Sequence, residues 1–381
     1  MRWAGYLVGG TLGLVALHVG FLLLYDPADA AADRAEPARL TRAPSVAGEA
    51  TLVFAGDTAE TDASLPTLEA RGFEYPFSLT VDLLRDADLA VVNAEAPITD
   101  GGDRFPVYKD YVYRAPARSA DALAWAGVDV LALSNNHSID YGASGLRQTI
   151  EAAQRRGMAT IGAGADAVEA RRGLIATIGG VRVGLLAFCE NQFLWRVYVD
   201  QFARRGHAGV ALLSERNLRR DVERLRPLVD VLVVQLHIGE GYQPAEAQAI
   251  RWSERAVELG ADLVVNHHPH VAQPIVMHRG RPIFLSVGNY VFGTPGQFGH
   301  SPPGTFDFGM IVVAHATARG LDRVEVVPLA VDNQRVDYRP RPLDGAELDE
   351  ALARLRAASA TYGTDLRIER GRGIVYLEGA K

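Results

Sequence analysis

From Thr51 onward the chain repeats one pattern: a short apolar run, then a polar or ionisable residue, then a segment with helical spacing that closes near Gly or Pro. The runs read "TLVFAGD", "ADLAVVNAE", "VDVLALSNNH", "VRVGLLAFCE", "VDVLVVQLH", "ADLVVNHH" and "PIFLSVGNYVFG", followed by "FGMIVVAHA" and "RVEVVPLAVD". Their length and continuity predict strands in sheets buried on both faces. Segments such as "GLRQTIEAAQRRG" and "AIRWSERAVELG" between them predict helices, so the fold class is α/β. The later strand-rich portion adds an antiparallel part, and "ELDEALARLRAASATYGTDLRI" reads as a helix followed by a short strand. Strand count alone suggests a doubly wound single sheet.

The segments before Thr51 follow other rules. Trp3 to Tyr25 is apolar apart from Thr11 and His18, within the roughly 17–25 residues that span a bilayer as a helix. Residues 1–25 are therefore expected to form a transmembrane anchor, 26–50 a linker and 51–381 the folded domain. Arg2 precedes the run, which places the domain outside the cytoplasm as a single-pass protein. The net charge of -7, with both signs interspersed, leaves no basic stripe for a phosphate backbone, so nucleic acid is excluded as a partner. Cys189 is the one cysteine, which rules out an internal disulfide and a cysteine-based zinc site, and its place at the end of a strand makes it a buried apolar residue.

The strands end in side chains that can bind metal: Asp57, Asn93 with Glu95, Asn136 with His137, His237 with Glu240, and His267, His268 and His270. The carboxyl ends of parallel strands lie along one edge of a sheet, so residues far apart in sequence converge there. Pro269 biases His268 towards an extended conformation, in which His268 and His270 share a side and His267 points the other way. A set of carboxylate, amide oxygen and imidazole suits Mn, Fe or Zn better than Mg or Ca, and a bridging carboxylate would allow two ions. Asn136 then reads as a ligand, His137 as an acid for a leaving group and Asp140 as its orienting partner.

The ordered set "FAGD", "VVNAEAPIT", "YRAP", "LALSNNHSIDYG", "LHIGEGY", "GADLVVNHHPHVAQPI", "FLSVGNYVF" and "ASATYGTDL" resembles the CapA family of poly-γ-glutamate capsule biosynthesis proteins, which has a calcineurin-like metallophosphatase fold. The resemblance covers nearly everything from Thr51 to about Leu366. It implies a two-sheet β-sandwich flanked by helices, preceded by the transmembrane helix, in a bacterial cell membrane. It also implies that Asp57, Glu95, Asn136, His237, His268 and His270 hold one or two divalent ions, with Glu95 as the bridge and His137 as the acid. Three positions depart from the family pattern: Ala59 where a histidine is usual, Glu240 and Gly241 where the acid is displaced by one residue, and Asn266 in place of glycine.

Three functions are compatible with these residues. The resemblance implies synthesis, export or anchoring of an anionic polymer such as poly-γ-glutamate, beside a polyglutamate ligase and small membrane subunits. The ligand set alone implies a metal-dependent hydrolase of a phosphoester or amide. A polymer-binding protein that keeps its metal without turnover is the third. Tyr111, Tyr113 and Arg114 are expected at the surface or in packing as readily as against a substrate.

Overall fold

Alternation along each strand decides the layers. The computed structural model describes residues 29–61, 63–104, 109–191, 201–296, 298 and 302–377. In the strand Glu49–Ala59, Leu52 and Phe54 pack on one side, Val53 and Ala55 on the other, and all four are buried. Both faces of this sheet are therefore covered, which is why the run carries no polar alternation.

Among the described residues the strands form a seven-stranded sheet, a ten-stranded sheet and a two-stranded ribbon. Leu52, Phe54, Leu89 and Val91 from the larger sheet share one apolar layer with Val183, Leu185, Val231, Val233, Leu263 and Val265 from the smaller. The two sheets thus face each other across a common core, as the family resemblance implies, and the single doubly wound sheet does not form. Helices close the outer faces. Leu146, Ile150 and Ala153 of Gly142–Arg155 pack against one sheet, and Leu218 and Val222 of Glu215–Leu225 with Ala256 of Ala247–Leu259 against the other. The antiparallel part expected near the end is present: Gly309–Thr317, Gly320–Ala330 and Arg372–Tyr376 extend the larger sheet.

The site-bearing strands run parallel within each sheet. Glu49–Ala59, Leu89–Ala94 and Val130–Ala132 are neighbours in the larger one, and Val231–His237 and Leu263–His267 in the smaller. One irregularity aims the first of them. Between Ala55 and Asp57 the register against Val92 and Asn93 shifts by one residue, so Gly56 is the extra member of a bulge. Ala55 faces the outer helices, and the inserted residue reverses the phase so that Asp57 lies beside Asn93, turned towards the opposite sheet. A side chain at Gly56 is impossible without movement, because a Cβ there would lie 2.0 Å from the carbonyl oxygen of Gly288.

The chain before Thr51 is less free than its composition suggests. Ala38–Arg42 is the edge strand of the smaller sheet, in parallel register with Leu174–Ile178. Asp33 is held by Arg171 at 2.9 Å and also by Arg216, and Arg42 pairs with Asp129. From Asp29 the expected linker is laid along the domain. The single-pass membrane localisation is a second correction. No helix among the described residues is long and apolar enough to cross a membrane. The longest of them, Gly345–Ala360, has 16 residues and carries Glu347, Asp349, Glu350, Arg354 and Arg356. The run Trp3–Tyr25, on which the expectation rested, lies outside the described residues.

Candidate metal centre

Because the two sheets face each other, their strand ends bring opposite chemistries together. Asp57, Asn93 and Glu95 come from the larger sheet, and His237 from the end of a strand in the smaller. Asp57 and Glu95 are fully buried. Asn93 donates from Nδ2 to Asp57 Oδ1 at 2.8 Å, and Asn135 donates to Asn93 Oδ1 at 3.1 Å and to the Ala94 carbonyl at 2.8 Å. These amides hold the carboxylate row at the strand ends.

Two groups of donors, each with ligand atoms within 4.8 Å of one another, share Glu95: one adds Asp57 and His237, the other His268 and His270. His237 Nε2 lies 3.4 Å from Glu95 Oε1 and 2.9 Å from Asn136 Oδ1, so Asn136 joins the first group. His270 bonds through Nδ1 to Asn289 Oδ1 at 2.9 Å, which leaves Nε2 on the Glu95 side, 3.9 Å from Oε1. All six residues singled out as ligands in the sequence are therefore in one place.

His268 and His270 converge by a different route from the one expected. Both have positive φ, 98° and 59°, so the segment is a tight turn across Pro269 and not an extended stretch. Non-glycine residues adopt such angles at a cost of about 1–3 kcal/mol, and the turn places the two rings 5.8 Å apart. The departures from the family pattern also have locations. Ala59 packs in the outer apolar layer and offers no donor. Asn266 turns to the outer helix and donates to Ser253 Oγ at 2.7 Å. Glu240 is exposed at the cavity rim.

The donor set fits a divalent cation on its own chemistry. Both Glu95 oxygens are buried without a hydrogen-bond partner. Burial, and then the charge of Asp57, push the Glu95 carboxyl well above its ordinary range. Burial, and then His268, hold His237 well below its own, and burial with His270 brings His268 down to about 3. Burial would raise Asp57 as well, but His267 and His270 beside it hold it well below the usual carboxylate range. Ionised carboxylates and neutral imidazoles are the forms that bind metal, and a cation among them removes the conflict at Glu95. The separations of 3.4 Å from Glu95 Oε1 to His237 in one group and 3.9 Å to His270 in the other exceed hydrogen-bond lengths, and each leaves room for an ion between its two donors.

Beside this set stands His137, buried, with Nδ1 2.7 Å from Asp140 Oδ2. Lys109 clamps the pair: its Nζ donates to the Asn136 carbonyl at 2.7 Å and to Asp140 Oδ1 at 2.5 Å, and lies 3.0 Å from His137 Nδ1. Burial, and then the Lys109 charge, bring His137 down to about 4. Its ring lies against Tyr113, centroids 4.2 Å apart. A cavity of about 270 Å³ opens over these groups, lined by Lys109, Tyr111, Tyr113, Tyr242 and Phe292 with Asn136, His137, His268 and His270. Arg114 is turned away, stacked over Tyr141. Sequence reasoning missed Lys109, Asn135, Tyr242 and Asn289. Lys109 had one available signal, as the single lysine of the chain besides the C-terminal Lys381.

The chain is 31% identical over 223 residues to a probable polyglutamine synthesis accessory protein of Mycobacterium tuberculosis, covering 55% of this chain and 57% of that protein. It is 29% identical over 210 residues to the capsule biosynthesis protein CapA of Bacillus anthracis, covering 53% and 50% of the two chains. It is 26% identical over 215 residues to the PGA biosynthesis protein CapA of Bacillus subtilis, covering 56% and 55%. The chain thus spans about half the length of these relatives. Two solved structures are more distant. One is a Thermus thermophilus protein, 11% identical, with a TM-score of 0.39 over 71% of this chain and 99% of that one. The other is GAP50, the anchor in the inner membrane complex of Plasmodium, 10% identical, with a TM-score of 0.42 over 80% and 95%. At those scores neither bears on fold or function. Residues 51–294, more than half of the chain, match the family described as bacterial capsule synthesis protein PGA_cap, and the chain belongs to that family.

Proposed function

We propose that this protein acts in the synthesis of a poly-γ-glutamate-type capsule polymer through a divalent-metal centre that cleaves an amide or phosphoester bond. Buried Glu95, with two unbonded oxygens shared by two groups of histidine and carboxylate donors, carries the reading. The names of the relatives from Bacillus anthracis and Bacillus subtilis support the polymer. Asp57, Glu95, Asn136 and His237 would hold one ion, and Glu95, His268 and His270 a second site with fewer ligands. A transition metal such as Mn, Fe or Zn suits this mixture. The ion, when bound, supplies Lewis acidity and lowers the pKa of water.

The protein's own groups do the rest. Asp140 accepts the Nδ1 proton of His137, which leaves Nε2 as the nitrogen facing the cavity. A neutral ring in that tautomer must first take up a proton at Nε2 before it can pass one to a leaving group. Lys109 fixes Asp140 and the Asn136 carbonyl, and through Asp140 the imidazole, and the Tyr113 ring restricts the rotation of that imidazole. A polyglutamate ligase remains the expected partner.

The test is metal content and turnover on the full chain, with γ-glutamyl oligomers and a phosphodiester as substrates, comparing wild type with His137→Ala and Glu95→Gln. Metal-dependent cleavage that His137→Ala abolishes while the metal stays bound supports the reading. Bound metal without turnover of either substrate refutes the hydrolytic part, and no bound metal refutes the centre.

A further inference from the structure

His267 does not line the cavity and belongs to none of the donor groups found among the described residues. It is nevertheless buried at the end of its strand, paired in register with His237 on the adjacent parallel strand. Both side chains stand on the face that carries Val233 and Val265, towards the larger sheet. There His267 Nδ1 comes to 3.3 Å from Asp57 Oδ1, yet makes no hydrogen bond. On the other side of the ring Nε2 lies 3.3 Å from Gln235 Oε1, while Gln235 Nε2, also buried, has no partner.

One change gives the orphaned Gln235 amide a partner and sets the tautomer in which His267 Nδ1 carries a proton towards Asp57, 3.3 Å away. The two ends of a carboxamide are nearly the same size, and exchanging those of Gln235 turns its N–H towards His267 Nε2. The imidazole then accepts at Nε2 and carries its proton on Nδ1, facing Asp57. Direct ligation is the weaker alternative, because among the described residues no set of three donors within 4.8 Å of one another includes His267. We propose that His267 is a positioning residue which, with its tautomer set by Gln235, holds the Asp57 carboxylate from beneath in the orientation that binds metal. It acts beside Asn93, which donates to the same oxygen from within the larger sheet. Partners of metal-ligating groups contribute about 10–100-fold to metal affinity.

The inference rests on Asp57 being a ligand, and the experiment separates the two. Mn²⁺ and Zn²⁺ affinities of the full chain are measured by calorimetry and chelator competition for wild type, His267→Leu, His267→Asn and Gln235→Leu, with melting temperatures in excess chelator as the control for folding. The Asn side chain places an N–H where Nδ1 stood. The expected result is a loss of about tenfold or more in His267→Leu, recovery to within about threefold of wild type in His267→Asn, and an intermediate loss in Gln235→Leu. Wild-type affinity in His267→Leu overturns the inference and leaves the centre intact. Equal losses in His267→Leu and His267→Asn also overturn it, in favour of ligation or packing. A wild-type chain that binds neither ion overturns both readings at once.

Discussion

Replacing Glu60 by glutamine should make the protein more stable at alkaline pH and leave it nearly unchanged in acid. Glu60 follows the strand Glu49–Ala59, is 3% exposed, and has no hydrogen-bond partner at either carboxyl oxygen. Burial pushes its pKa from 4.5 up to about 8. The folded chain therefore keeps a proton that the unfolded chain releases, and stability present below the unfolded value is lost as pH rises towards the folded one. Each pH unit in that window corresponds to about 1.4 kcal/mol, so the ceiling over the whole window is about 5 kcal/mol. Glutamine keeps a neutral polar group of the same size and does not titrate. Urea unfolding of both proteins at pH 5, 6, 7 and 8 should show curves within about 1 kcal/mol of each other at pH 5, separating by several kcal/mol in favour of Glu60→Gln at pH 8. Taking the difference between the two proteins cancels every other titrating group. Parallel pH profiles would refute the argument, because they would mean that the carboxyl is solvated or paired in the folded state.

Other perturbations test the site and its supports. Glu95→Gln should raise the melting temperature in excess chelator, because it removes a buried carboxyl without partners, and should abolish the upward shift that a divalent ion gives wild type. Gly56→Ala should destabilise the chain by roughly 2–4 kcal/mol in a denaturant titration, since the strand must move off Gly288 to admit a methyl group. Lys109→Met leaves the buried Asp140 carboxylate with one ionic partner fewer. It should destabilise by about 3–5 kcal/mol and reduce turnover with metal content unchanged; preserved turnover would show that the clamp on His137 is dispensable.

The sequence showed which residues meet more clearly than how they are made to meet. Asp57, Glu95, Asn136 and His237 were legible because parallel strands put their carboxyl ends on one edge, and that rule needs no coordinates. Its single-sheet form failed, since a strand buried on both faces reads the same between two sheets as between two layers of helices; the family motifs decided that point. Three features were hidden for separate reasons. The bulge at Gly56 depends on a contact with Gly288, far away in sequence, that no local pattern encodes. The positive φ angles of His268 and His270 oppose local preference and survive because the surrounding fold enforces them. Lys109 sits outside any regular element, so its place against Asp140 follows from neither periodicity. The strand Ala38–Arg42 was overlooked because "ARLTR" is half-exposed at a sheet edge and carries little apolar signal.

The division of the donors between the sheets has a mechanical consequence. Asp57, Glu95 and Asn136 stand at or just beyond strand ends of one sheet, while His237, His268 and His270 stand at or just beyond strand ends of the other. An ion held by both acts as a fastener across the open edge of the sandwich, and it is released when either side gapes. Loading it should slow amide exchange at the ends of Leu89–Ala94 and Leu263–His267 together, although no backbone hydrogen bond joins those strands. The supply of free metal would then set how far this edge breathes, and with it how open the cavity above the donors stands.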